Sequence, residues 1–215
     1  MAKQISVMYK TEDGRAKKML EHLESFGKVS NVHISDVYTI DAKLSKIELE
    51  KVASALHTPL SQFVSIKKPL SPENFSYIIE IGFLPGVTDN VGSTAKETIV
   101  DTLKKSFKEN ESVYYSKRYF LSAQIDKKTV EEIALNLHNP LIERATIKSA
   151  SEFIKNSGMD IVLPKVKLEK TSVTRVNLYV SDEELAVIGK KGISNDDGTH
   201  RGPLGLGLSE LKTIR

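Results

Sequence analysis

Apolar residues along the chain fall into short runs whose period switches between two and about 3.6, the change that separates strands from helices. KQISVMYK (3–10) and YIIEIGFL (77–84) read as strands. Each leads through a glycine-bearing turn into a helix. The first helix is GRAKKMLEHLESFG, with Ala16, Met19, Leu20 and Leu23 on one face. The second is DNVGSTAKETIVDTLKKSF, with Val91, Ala95, Ile99, Leu103 and Phe107 at helical spacing. VSNVHIS and ESVYYSK then predict strands, and VYTIDAKL and RYFLSAQI second strands. The polar breaks at Ser35 and Asp36, and at Ser116 and Lys117, suit tight hairpins between them. A further helix follows in each case. Ser45 with Glu48 forms a capping box before one, and Asp126 is an N-cap before the other. Val52 and Leu56, like Ile133 and Leu137, fall on the buried faces. Pro59 and Pro140 end these helices, because the residue before proline avoids the helical region. FVSI and ATI read as short closing strands.

The two series are written in similar words. Residues 37–66 lie on 118–147 without a gap: Tyr38 meets Tyr119, Lys46 meets Lys127, Glu50 meets Glu131, Leu56 meets Leu137, and Ile66 meets Ile147. ALHTPL and NLHNPL bring His57 onto His138, Pro59 onto Pro140 and Leu60 onto Leu141. Such self-similarity predicts a duplicated supersecondary unit. The expected fold is α+β: two tandem β-α-β-β-α-β units with antiparallel sheets, helices on one face, and a small linker segment after them. The boundaries are 1–68 for the first repeat, 76–150 for the second and 151–215 for the linker region. Each histidine falls at a helix C-terminus, where imidazole meets free carbonyls and the negative end of the helix dipole. That structural role needs no ligand.

Composition narrows the function classes. Cysteine is absent, which removes disulfides, thiolate catalysis and cysteine-held metals, and fits a reducing compartment. No stretch approaches the roughly 20 apolar residues of a membrane span, and the N-terminus has no signal-peptide pattern. Net charge is +3, from 31 basic and 28 acidic side chains interleaved along the chain. That pattern describes a solvated surface rather than a basic stripe for nucleic acid. The tail carries a strand at VTRVNLYV (173–180) and a helix at SDEELAVIGKKG, with Ser181 and Glu184 as a capping box. Asp197 with Gly198 marks a turn, and Ser209 caps a last helix. Gly202, Gly205 and Gly207 do not complete a phosphate-loop pattern, since no lysine follows at the required spacing. The chain stops about one turn into that last helix, which predicts that it is a piece of a longer protein.

The segments VYYSKRYFL with EEIALNLHNPLIERATI, and VHISDVYTI with ASALHTPL, resemble the small PurS-type component of phosphoribosylformylglycinamidine synthase. IGFLPGVTDNVGSTAKETI resembles the start of the corresponding domain in fused forms of that enzyme. SDEELAVIGKKG with DGTHRGPLGLGLSELKTIR resembles its linker to the synthetase domain. The resemblance implies two PurS-like units that imitate a PurS dimer, in a cytoplasmic enzyme of purine biosynthesis. It implies a parent that converts formylglycinamide ribonucleotide to formylglycinamidine ribonucleotide with ATP, magnesium and glutamine. The partners implied are a synthetase domain and a glutaminase domain or subunit, with no nucleic acid and no membrane. No catalytic, cofactor or metal residue of that parent has a matching position here, so this segment is expected to bridge rather than catalyse.

Four polar residues stand out as candidate interface or phosphate contacts. Asp89 and Asn90 lie in the GFLPGVTDN loop, where they also read as a helix start. His200 and Arg201 lie in the tail, where arginine offers a fork of donors to phosphate. Two other readings fit a doubled α+β unit. One is a stand-alone sensor that holds a small carboxylate at the GFLPGVTDN helix start. The other is an RNA-binding sheet that uses Tyr114, Tyr115, Tyr119 and Phe120, although core packing accounts better for Tyr119, which matches Tyr38 and lies on an apolar strand.

Overall fold

The structure, a computed structural model, describes residues 2–27, 29–66, 68–166, 175–195 and 198–215. They form two compact units, Met1–Val166 and Lys167–Arg215. The architecture is mixed α and β, with seven α-helices and a six-stranded antiparallel sheet among the described residues.

The first unit runs β1 (Lys3–Tyr9), α1 (Gly14–Leu23), β2 (Val29–Asp41), α2 (Lys46–Ala55), β3 (Gln62–Ser65), then β4 (Tyr77–Phe83), α3 (Asn90–Leu103), β5 (Ser112–Ala123), α4 (Lys127–Leu137), β6 (Glu143–Ser149) and α5 (Ala150–Lys155). Strand order is β3-β1-β2-β5-β4-β6, with every neighbouring pair antiparallel. Each half therefore reads β-α-β-α-β. The expected hairpins do not form. Val29–Asp41 and Ser112–Ala123 are single long strands, and Ser35, Asp36, Ser116 and Lys117 lie in their middles. The two serines are satisfied inside the sheet: Ser35 Oγ donates to the Val7 carbonyl at 3.1 Å, and Ser116 Oγ donates to Glu80 at 2.9 Å.

The long strands pair with each other along their whole length, and Asp36 stands opposite Lys117. These two residues are 81 apart, the same offset that separates His57 from His138. The edge strands keep it too: Ser65 faces Ser6 on one side of the sheet, and Thr146, 81 residues after Ser65, faces Glu80 on the other. The six strands are thus arranged about a local two-fold between Asp36 and Lys117.

Side chains alternate across a strand, and here both faces are covered. On one face lie the four long helices. α1 and α4 pack on Val32, Ile34, Ile79, Ile81 and Leu121, while α2 and α3 pack on Ile5, Val7, Ile40 and Val113. Their starts are capped as expected: Ser45 and Glu48 form a capping box, and Asp126 accepts from the Thr129 amide at 2.8 Å. α3 stops at Leu103, short of the expected Phe107, because Lys104 turns to the left-handed region at φ 50°. On the other face, Phe75, Phe120 and Phe153 stack edge to face with centroids 5.1 to 5.8 Å apart, above Ile78 and Met159. The chain beyond α5 is fastened to this face. Lys148 Nζ donates to the Gly158 carbonyl at 3.1 Å, and Lys165 donates to the Asn110 carbonyl and pairs with Asp41.

In the second unit, α6 (Asp182–Lys191) starts with the expected Ser181–Glu184 capping box and ends at Gly192. A short hairpin of β7 (Ile193–Ser194) and β8 (His200–Arg201) follows, then α7 (Leu208–Ile214). Leu185 and Leu211 are its buried apolar residues. Gly189 is required: a Cβ there would meet the Leu206 carbonyl oxygen at 2.2 Å. The expected strand over 173–180 is not present over 175–180, and 173–174 lie outside the described residues. Ser209 lies inside α7, whose N-cap is Gly207 without a side-chain bond. Its hydroxyl donates instead to Glu210, at 3.3 Å. Gly198 of the expected turn has φ 80° and donates to the Asn195 carbonyl, while Asp197 lies outside the described residues.

Candidate functional site

A linked set of polar groups in the first unit lies on the helix-covered face, at the seam between the halves. Asp13 caps α1 and accepts from the Arg15 amide at 2.9 Å. The Arg15 guanidinium pairs with Asp13 at 2.8 Å and takes Asp36 bidentately, at 3.1 and 3.0 Å. The Tyr115 hydroxyl donates to Asp36 Oδ1 at 2.5 Å, and its ring lies 5.7 Å from that of Tyr38. The Tyr115 amide in turn donates to Asp89 Oδ2 at 2.6 Å. Asp89 also accepts from the Gly92 amide at 2.7 Å, so one carboxylate caps α3 and ties it to β5. Gly92 permits this approach, since a Cβ would come within 2.6 Å of the Val113 carbonyl oxygen. An unbroken path of hydrogen bonds thus joins the starts of α1 and α3 across the middle of the sheet.

The electrostatics follow from the pairing. Burial lowers the basicity of Arg15, but its bonds to Asp13 and Asp36 outweigh this and raise its pKa. Burial pushes Asp13 up, and the hydrogen bonds from Arg15 outweigh it and bring the carboxyl below its usual value. Burial first, and the Asp36 charge second, push the Tyr115 hydroxyl well above its ordinary value. All three groups are held in one protonation state near neutrality. They lock the seam and are not poised for proton transfer.

The sequence candidates separate. Asp89 belongs to this network. Asn90 is the first residue of α3 and lines a cleft of about 390 Å³ between α2 and α3, with Tyr38, Leu56 and Thr94. His200 and Arg201 form β8 in the second unit, both exposed. His200 Nε2 is 3.3 Å from Ser194 Oγ, and Arg201 Nε donates to Asn195 at 3.0 Å. The repeated histidines act alike: Nδ1 of His57 is 2.6 Å from the Ala53 carbonyl, and Nδ1 of His138 is 2.5 Å from the Ala134 carbonyl. Among the described residues there is no group of three or more His, Cys, Asp or Glu side chains placed to hold a metal ion.

A second polar set, on the opposite face, was not anticipated. Arg118 is fully buried, with Nε bound to Glu80 at 2.6 Å and Nη2 bound to Gln4 at 3.0 Å. Gln4 donates onward to Thr39 at 3.1 Å. Arg118 Nη1 has no hydrogen-bond partner among the described residues. Glu80 and Arg118 face each other across β4 and β5. The readable signal was phase. In YIIEIGF, Glu80 alternates with Ile79 and Ile81, and in KRYFL, Arg118 alternates with Lys117 and Tyr119, so both point away from the main core.

A scan against models of protein families and a search of the curated proteins each return no match for this chain.

Proposed function

We propose that the chain is the bridging N-terminal part of a phosphoribosylformylglycinamidine synthase, which joins a glutaminase to the ATP- and magnesium-dependent synthetase of the same enzyme. It works in the cytoplasm as a rigid PurS-like double unit and carries no catalytic group of its own. The observation that supports this reading is the local two-fold. Two β-α-β-α-β halves share one sheet through β2 and β5, with Asp36 opposite Lys117 at the repeat offset. Two fused small subunits that stand in for a dimer need such an arrangement. Asp13, Arg15 and Asp36 at the seam are consumed in ion pairs and hydrogen bonds, as a scaffold requires. The leucines of the repeated loops, Leu60 and Leu141, are 92% and 84% exposed at equivalent positions. They suit contacts with the other parts of the enzyme.

The sensor alternative places a small carboxylate at the start of α3. Asp89 already accepts the Gly92 amide at that position, and its negative charge opposes a second anion. Immunodepletion tests the proposal. An antibody against this chain should remove ATP- and glutamine-dependent formylglycinamidine ribonucleotide synthesis from a source-cell lysate and recover it in the precipitate. Undiminished activity in the supernatant would count against the reading.

A further inference from the structure

On the face of the sheet away from the four long helices, the second half carries charges that the first half does without. Glu80 faces Arg118 across β4 and β5, and Arg144 of β6 faces Gly82 of β4. At the equivalent places in the first half, Ser6 faces Val37 and Phe63 faces Met8. The same topology is built there without an ionised group, so topology alone does not dictate the charges.

The cluster is one charge out of balance. Glu80 is spent on Arg118 Nε at 2.6 Å and on the Ser116 hydroxyl at 2.9 Å. The Arg144 guanidinium has no ion pair among the described residues, and its Nη1 reaches Thr146 Oγ1 only at 3.5 Å. Gly82 makes the seat for it: a Cβ there would lie 3.1 Å from Arg144 Nη2 and 3.3 Å from the Ser116 Cβ. Arg144 Nε and Arg118 Nη1 are both buried with no hydrogen-bond partner among the described residues. Burial lowers the basicity of Arg144, and the Glu80 charge offsets only part of that. A guanidinium keeps its proton at neutral pH, so its desolvation stands as a cost that a paired anion would remove. Arg118 is fully buried, whereas Arg144 is half-buried and can be reached from solvent.

We propose that Arg144 is the receptor for a monovalent carboxylate, either of a free organic acid or of an acidic side chain on an adjoining polypeptide. Two guanidiniums against one carboxylate leave a single positive charge, which a monoanion neutralises. A phosphate dianion would overshoot, and the nearby Glu80 charge would oppose the excess. The planar fork of arginine takes both oxygens of a carboxylate at once, and the unpartnered Nε is one tooth of that fork. This site stands whether or not the chain belongs to a synthase.

The test uses the whole 215-residue chain, labelled with nitrogen-15. Acetate is the probe, at constant ionic strength, and the Nε–H signal of Arg144 is read, assigned by its loss in Arg144→Gln. Expected are a saturable shift of that signal and a melting temperature that climbs with acetate in the native chain but not in Arg144→Gln. Without acetate, Arg144→Gln should melt no more than about 4 °C below the native chain, since it removes a charge that has no partner. Acetyl-glutamate-amide, whose only carboxylate is its side chain, separates the two sources. Equal or weaker affinity than acetate identifies a free acid, and about ten-fold tighter binding identifies an acidic side chain of an adjoining polypeptide. Four results would overturn the proposal: no saturation up to about 0.1 M acetate, an equal acetate response in Arg144→Gln, tighter binding of inorganic phosphate than of acetate, or a larger loss of melting temperature in Arg144→Gln than the limit above.

Discussion

At the scale of single residues, the molecule separates groups that the fold needs from groups it leaves free. Arg118 and Glu80 belong to the first kind. Replacing Glu80 with alanine strands a fully buried guanidinium, which typically costs about 3–5 kcal/mol. Urea unfolding of Glu80→Ala should show that loss, and a change under about 1 kcal/mol would mean that the pair is not sealed. Leu60 and Leu141 belong to the second kind. Their exposed side chains bury almost nothing, so Leu60→Ser and Leu141→Ser should each leave stability within about 0.5 kcal/mol. The repeated histidines were legible from sequence, because a helix end before proline leaves a carbonyl that an imidazole reaches. Asp36 was not. Locally, a serine and an aspartate between two apolar runs look the same in a turn and in a strand. What distinguishes them is distant: Arg15 on another element, and Tyr115 across the sheet.

At the scale of elements, the hairpin reading failed, while the cap readings at Ser45, Asp126 and Ser181 held and only that at Ser209 did not. A cap is a bond between residues three apart, so a short window contains it. Strand continuity needs a longer window. Val32, Ile34, Tyr38 and Ile40 keep one phase through Ser35 and Asp36, as do Val113, Tyr115, Tyr119 and Leu121 through Ser116 and Lys117. A two-residue hairpin would not require that agreement. Proline tests the continuous strand: Val37→Pro removes a donor in a central strand and should abolish cooperative unfolding of the first unit, as read by circular dichroism. A hairpin at Ser35 and Asp36 would tolerate it far better. The capping box of α2 carries a pH signature. Hydrogen bonds from the Ser45 amide and hydroxyl, and then from Lys105, hold Glu48 down to about 2. A depressed carboxylate stabilises the fold above its unfolded value and loses that contribution as pH falls toward about 2. The melting-temperature difference between the native chain and Glu48→Gln should therefore shrink between about pH 4.5 and pH 2. A difference that stays constant would show that the box does not form.

At the scale of the whole molecule, the repeat in the sequence and the two-fold in the sheet are one fact seen twice. The offset that aligns the two HxPL loops also sets Asp36 opposite Lys117 and pairs both edge strands. The sequence reading expected two repeated units with antiparallel sheets and did not join them into a single sheet, because nothing local says which strands meet at the seam. It also missed that the face away from the helices is covered, since Phe75, Phe153 and Met159 come from segments with little periodicity. The cluster at the seam behaves as a lock, and Tyr115 gives it an alkaline limit. A tyrosine whose folded value is raised stabilises the fold below its unfolded value, near pH 10, and loses that contribution above it. Melting scans should show a drop above about pH 10 that is smaller in Tyr115→Phe.

The central claim is that the first unit couples ammonia production to its use and does no chemistry itself. The most direct measurement compares the tagged gene product, purified from source cells, with the same product lacking residues 1–166. Each is assayed for formylglycinamidine ribonucleotide synthesis with glutamine and with free ammonia. The account predicts that deletion lowers the glutamine-dependent rate by about ten-fold or more while the ammonia-dependent rate persists. An unchanged ratio of the two rates, or no synthesis by the intact product with either donor, would contradict it.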